Sequence, residues 1–130
     1  ENYFKFYKSF KEWHDRVKDH LDKHRSIELE TLLGRKLIAH KFTDAVNYPI
    51  QGSGSDLLKM AVVFFFKERN DLDAKVVNLV HDEILVEVAE KDIEKAKEVL
   101  SSSMEKAGKI LLKDVPAAFE MIVSDNWNKD

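Results

Sequence analysis

Apolar positions in the first two dozen residues recur every three or four places, at Phe4, Tyr7, Phe10, Trp13, Val17 and Leu21. That spacing lays one stripe along a helix and predicts a helix over about residues 1–24. The stripe is rich in aromatic rings, so packing is its default role. Lys5, Lys8, Lys11, Arg16 and Lys18 occupy the polar face. After His24 the period falls to two. Ile27 and Leu29 alternate with Glu28 and Glu30, which predicts a short strand. Gly34 marks a turn, and residues 35–48 read as irregular or partly helical. Pro49 and Gly52 punctuate the chain before a second helix, with Ser53 or Ser55 as its cap and Asp56 in its first turn. From Leu57 to Phe66 that helix is apolar on nearly every face, the pattern of a central, buried element.

Two runs follow, Lys75–Val80 and Ile84–Val88, both rich in Val, Ile and Leu. With His81, Asp82 and Glu83 between them they predict a β-hairpin. A third helix is expected over roughly 90–107, with its stripe at Ile93, Ala96, Leu100, Met104 and Ala107. A final strand is expected over 118–123. The fold class is α+β, a small antiparallel sheet with one β-hairpin packed against helices. With 4 Gly, 2 Pro and no low-complexity stretch, the 130 residues show no internal boundary and read as a single domain.

Composition narrows the function classes. The chain is 44% hydrophobic and 35% charged, an ordinary globular balance. It has no cysteine, which removes disulfides and thiolate metal sites. The longest apolar run, Met60 to Phe66, is too short to span a bilayer, so no membrane partner is expected. The net charge of −3 argues against a protein that coats nucleic acid. Its distribution is uneven: residues 1–69 hold 13 Lys and Arg against 10 Asp and Glu, and residues 70–130 hold 8 against 14. Phosphate contacts therefore belong to the first half. The acidic half can be a solvated face or a place for metal ions.

The adjacent carboxylates of Asp82 and Glu83 are the first candidate site. Two like charges on a hairpin tip repel, and a divalent cation relieves the repulsion. Mg²⁺ commonly takes one or two carboxylates plus phosphate oxygens, so the tip can form half of a phosphoryl-transfer metal site. On spacing alone, a solvated polar turn is the commoner outcome. The second candidate is Asn47-Tyr48-Pro49-Ile50-Gln51-Gly52. The amides of Asn47 and Gln51 offer donors and acceptors beside a proline that fixes the backbone. They suit the minor groove, whose acceptors occur on every base pair. Gly52 and Gly54 permit close approach of another segment. A loop and helix cap is the bland alternative. His20 and His24 lie four apart on the first helix, but no third zinc ligand accompanies them.

Taken in series, these segments carry more than either alone. "NYPIQGSGSDLLKMAVV" followed by "VVNLVHDEILVEV" resembles the family A DNA polymerases, as do "ETLLGRK" at 30–36 and "SDNW" at 124–127. The resemblance covers essentially the whole chain and implies the C-terminal part of a polymerase palm, with a fingers-base helix at about 1–24. It implies that Asp82 ligates both catalytic Mg²⁺ ions, that Glu83 supports the metal site, and that His81 lies near the primer 3′ terminus. Asn47 and Gln51 match residues that contact the minor groove, and Arg35 matches the first arginine of a G-R-R stretch near the DNA. The implied partners are primer–template DNA and a deoxynucleoside triphosphate. The implied location is the cytoplasm of a bacterial or phage-infected cell.

The departures are equally informative. A complete site of this family needs a second metal-binding aspartate, on an earlier strand, and a nucleotide-binding fingers helix. Neither pattern occurs in this sequence. The second arginine of G-R-R is Lys36, Thr43 stands where an arginine is often found, and the stretch from Leu37 to Val46 is short for the family. The chain is therefore expected to be inactive alone. It would work with the N-terminal remainder of the polymerase, in the same or a separate chain, as an excised piece or a split-enzyme subunit. A non-catalytic DNA-binding or assembly module that keeps the palm fold is the alternative. An unrelated metal-dependent hydrolase is a third class, for which the further His and Asp ligands are missing.

Overall fold

The computed structural model describes residues 3–127. Its elements run α1 (Tyr3–Phe6), α2 (Lys8–His24), β1 (Ile27–Glu30), β2 (Lys36–Ala39), α3 (Phe42–Glu68), β3 (Ala74–Val80), β4 (Glu83–Val88), a 3₁₀ turn (Glu90–Asp92) and α4 (Ile93–Leu112). The α+β class holds. The antiparallel pairing lies in two separate two-stranded sheets, β1–β2 and β3–β4, instead of one. The chain forms two compact units, one ending at Asp56 and the other beginning at Leu57, with α3 contributing to both.

In the first unit, the expected single helix is divided at Tyr7, whose φ of −106° and ψ of 65° leave the helical region. The hydrogen bonds from Tyr7 N–H to Tyr3 and from Lys11 N–H to Tyr7 continue across the break. Only the later part of the stripe is buried: Val17 and Leu21 form the core with Ala39 and Ala45, while Trp13, Ile27, Leu29, Val46 and Tyr48 pack around them. The early part is more open. Tyr3 and Phe4 are exposed, and their rings meet that of Phe10. Arg25 ends α2 in the left-handed region, φ 66°, with its N–H on the Leu21 carbonyl.

Residues 36–39, read from sequence as irregular or partly helical, form a strand. β1 and β2 pair with Ile27 opposite Ala39 and Leu29 opposite Leu37, so these four side chains share the inner face. The outer face carries Glu28, Glu30 and Lys36. Lys36 Nζ donates to Glu28 Oε1 at 2.6 Å, a bond that raises the Lys36 pKa above its ordinary value. Gly34, at φ 79°, supplies the turn between the strands.

The second difference is larger. α3 begins at Phe42 and runs straight through Pro49, so Asn47 to Asp56 is helix, and neither Ser53 nor Ser55 is a cap. A proline inside a helix costs about 3 kcal/mol because it removes an N–H and crowds the preceding turn. Contacts with the β1–β2 hairpin offset that cost. Ser53 Oγ donates to the Pro49 carbonyl at 2.6 Å and accepts the Leu32 N–H at 2.9 Å. Arg35 Nε donates to Asp56 Oδ1 at 2.9 Å, and Arg35 Nη2 donates to the Gly52 carbonyl at 3.0 Å. Asp56 is buried mid-helix by this pairing. Gly52 makes the approach possible: a Cβ there would lie 2.7 Å from Thr31 Cγ2 and 3.0 Å from Leu37 Cδ1.

In the second unit, Phe65, Leu72, Ala74 and Ala96 form the core, with Val76, Val86, Val88, Val99 and Leu100 packed on it. α3 is buried there along Leu58, Ala61 and Phe65, whereas Val63 and Phe66 are exposed, so the expectation of burial on nearly every side fails for this chain. The Arg69 guanidinium sits 4.9 Å from the centre of the Phe66 ring. α4 extends five residues beyond its predicted end and buries Ala96, Ser103, Ala107, Gly108 and Leu111. Lys106 Nζ reaches both carboxylate oxygens of Glu68, at 2.6 and 2.7 Å. The strand expected over 118–123 is absent, because that stretch has no ladder partner among the described residues.

The two glycines of α3 should respond oppositely to a methyl group. Gly52→Ala should lower stability by about 1–3 kcal/mol, since buried Thr31 must give way. A Cβ at Gly54 meets nothing within 4 Å, so Gly54→Ala should raise stability by about 0.5–1 kcal/mol. Thermal melts of the two variants check this; equal shifts would remove the close approach as the reason for Gly52.

Candidate functional site

The hairpin tip is built by the second core. Val76, Val86 and Val88 anchor β3 and β4 on Phe65 and its neighbours, and the ladder then carries the chain outward. Pairing runs Val76 to Val86, Asn78 to Leu85, Leu79 to Ile84 and Val80 to Glu83. One extra residue, Val77, makes a β-bulge on the way. Bulges bend and twist a strand and recur beside active sites. Glu83, expected in the connection, therefore belongs to β4, and the turn is only His81-Asp82.

His81 takes φ +54°, a left-handed conformation that disfavours a side chain with a Cβ. All three residues, His81, Asp82 and Glu83, are exposed. The carboxylates are thus presented to solvent at the end of a paired hairpin. Among the described residues, no group of three or more His, Asp or Glu side chains is placed to hold a metal ion. Two adjacent carboxylates nevertheless supply the hard oxygen donors that Mg²⁺ favours, and that ion leaves several positions to water or phosphate. The donor set fits part of a magnesium site. His20 and His24, with ring centres 4.5 Å apart, gain no third ligand among the described residues.

The amide pair lies in the first unit. Because α3 is continuous there, Asn47 and Gln51 stand one turn apart on the same face. Asn47, Ile50, Gln51 and Gly54 are all exposed, an i, i+3, i+4, i+7 stripe, while Ala45 and Ser53 are buried and Tyr48 and Pro49 half-buried. The sequence pointed to a rigid placement by loop; the structure achieves it by helix. Arg35, which the resemblance places near the DNA, is also bonded within the fold. Its Nε and Nη2 groups are engaged by Asp56 and the Gly52 carbonyl, leaving Nη1 as the edge without a partner among the described residues. Sequence reading missed Asp56 as the partner of Arg35. Twenty-one positions separate them, and no periodic signal links such a pair.

Comparison with known proteins places the whole chain in one family. The profile described as DNA polymerase family A matches residues 1–129. The chain is 52% identical to the DNA polymerase I of Aquifex aeolicus, over 100% of this chain and 23% of that protein. It is 31% identical to the thermostable DNA polymerase I of Thermus filiformis, over 98% of this chain and 16% of that protein. The chain thus spans less than a quarter of the length of these relatives. Among solved structures, it resembles the POL domain of Pol1 from M. smegmatis in complex with DNA primer-template and dNTP. The TM-score is 0.66 and the identity 26%, covering 81% of this chain and 21% of that one.

The left-handed backbone at position 81 gives a direct test of the tip. His81→Gly should be more stable than His81→Ala by about 1 kcal/mol, because glycine alone avoids the Cβ penalty at φ +54°. The two melting temperatures decide; an alanine variant as stable as the glycine one would mean that the tip relaxes to another turn.

Proposed function

As a member of DNA polymerase family A, matched over residues 1–129, this chain is, we propose, the C-terminal palm segment of a DNA-directed DNA polymerase. It contributes to template-directed nucleotidyl transfer on primer–template DNA with a deoxynucleoside triphosphate as substrate. The observation that carries the reading is the His81-Asp82-Glu83 tip, exposed at the end of a hairpin whose strands are fixed by the second core. Asp82 would bind Mg²⁺ directly, with Glu83 beside it. The bound ions supply the positive charge that phosphoryl transfer requires on the attacking and leaving oxygens.

The chain's own residues do the rest by positioning. His81 places a ring N–H near the primer 3′ end. Asn47 and Gln51 present amides from one helical face to minor-groove acceptors, which tests base-pair geometry without reading sequence. Arg35 holds that helix by its bond to Asp56 and turns its remaining edge toward the DNA backbone. The second aspartate and the nucleotide-binding helix come from the N-terminal remainder of the polymerase, so the chain alone does not extend a primer. The relatives named DNA polymerase I are bacterial, which supports the cytoplasm as its place of work.

Single-nucleotide incorporation by the complete polymerase tests the tip. Asp82→Ala should lower the rate by several orders of magnitude with the melt unchanged, each tenfold loss being about 1.4 kcal/mol of barrier. Glu83→Ala should be milder. Near-normal incorporation by Asp82→Ala would make the tip a polar turn, leaving the non-catalytic DNA-binding module as the reading.

The amides have their own assay. Asn47→Ala and Gln51→Ala should each cost about 1 kcal/mol, one hydrogen bond, in extension of matched primers and should alter the discrimination against mismatched ones. Their exposed positions predict little change in stability. A large drop in melting temperature with unchanged mismatch extension would assign them to the fold instead.

A further inference from the structure

A second feature of the first unit lies outside these residues. Where α2 ends, a cleft of about 480 Å³ is lined by Lys18, Leu21, Asp22, Arg25, His40 and Phe42. Neither Lys18 nor Arg25 takes part in an ion pair among the described residues, although Lys11 and Lys23 on the same helix both do. Two cations facing one carboxylate, Asp22, leave the cleft with a net positive charge.

Its construction fixes where those cations stand. Arg25 occupies the left-handed position at φ 66°, which turns the chain sharply off the helix end. The His40 Nδ1–H donates to the Arg25 carbonyl at 3.3 Å, so the far ring nitrogen, Nε2, is left for another partner. The short stretch between β2 and α3 brings His40 and Phe42 to the cleft together. The floor is apolar: Leu21 is buried and the Phe42 ring is partly open.

Cations beside an apolar, aromatic floor match a nucleotide unit, in which a charged phosphate adjoins a flat base. We propose that this cleft binds one phosphodiester unit of single-stranded nucleic acid, with the phosphate on Lys18 and Arg25 and the neighbouring base against Phe42. The site is separate from Asn47 and Gln51, which offer amides to a duplex groove. It rests on the reading of DNA as the partner, and it fails separately from that reading: Asp82→Ala reads incorporation, whereas the cleft variants read binding.

The test uses fluorescence anisotropy of a labelled single-stranded oligonucleotide with this chain. Lys18→Gln combined with Arg25→Gly removes both charges, and glycine suits the left-handed backbone at 25, so the fold should be kept. The matched control, Lys91→Gln with Lys95→Gln, removes the same charge from the second unit. The cleft variant should bind about tenfold more weakly than the control. The slope of log affinity against log salt should shrink by about 0.7 for each phosphate that is no longer neutralised. Phe42→Leu should weaken binding a few-fold with the slope unchanged. Equal affinity and slope for the cleft variant and the control would overturn the proposal. So would loss of inorganic pyrophosphate binding with oligonucleotide binding intact, which would assign the cleft to a free phosphate compound.

Discussion

The bond between Arg35 and the buried Asp56, with the close approach at Gly52, is the constraint on which the first unit depends. It ties the turn of the β1–β2 hairpin to the middle of α3. Without that tie, Pro49 and two glycines within six residues would favour a break in the helix. With it, the helix continues, the Ser53 hydroxyl bridges the hairpin to the Pro49 carbonyl, and Asn47 and Gln51 fall on one exposed face. A buried carboxylate is costly unless paired, and the guanidinium at 35 offsets part of that cost through Oδ1. The amides are therefore positioned by residues that do not share their face.

How much of this was legible in the sequence depends on the range of the forces involved. β1 was readable because Ile27 and Leu29 alternate with two glutamates. The β3–β4 hairpin was readable because two β-branched runs flank a polar connection, though the assignment of Glu83 to the connection placed the turn one residue too wide. β2 was missed: four residues with an outward Lys36 and Ile38 carry little local signal, and only pairing with β1 makes them a strand. The start of α3 was missed because proline and glycine are read locally as stop signals, while what overrules them comes from residues 31 to 37. The strand at 118–123 was read from composition, but a strand needs a partner, and none is present among the described residues.

The candidate site follows the same division. The acidic tip is a local feature, visible as two adjacent carboxylates, and its strands could be inferred from the surrounding valines. The strain at His81 was not visible, because a His-Asp turn carries no glycine to advertise a positive φ. The involvement of Arg35 with Asp56 was hidden for the opposite reason, since both residues are ordinary charges until the fold brings them together.

The bulge at Val77 has a mechanical meaning. Val76 faces Val86 and Asn78 faces Leu85, so the register shifts by one residue at the surplus Val77. The surplus bends and twists the strand and changes which side chains oppose one another beyond it: in an unbroken ladder Asn78 would face Ile84 instead of Leu85. The one surplus residue thus sets both the pairing beyond it and the direction of the acidic turn. A lineage, or an engineer, could re-aim the carboxylates by adding or deleting one residue there. The chemistry of the turn, and the apolar pairs that anchor it, would stay as they are.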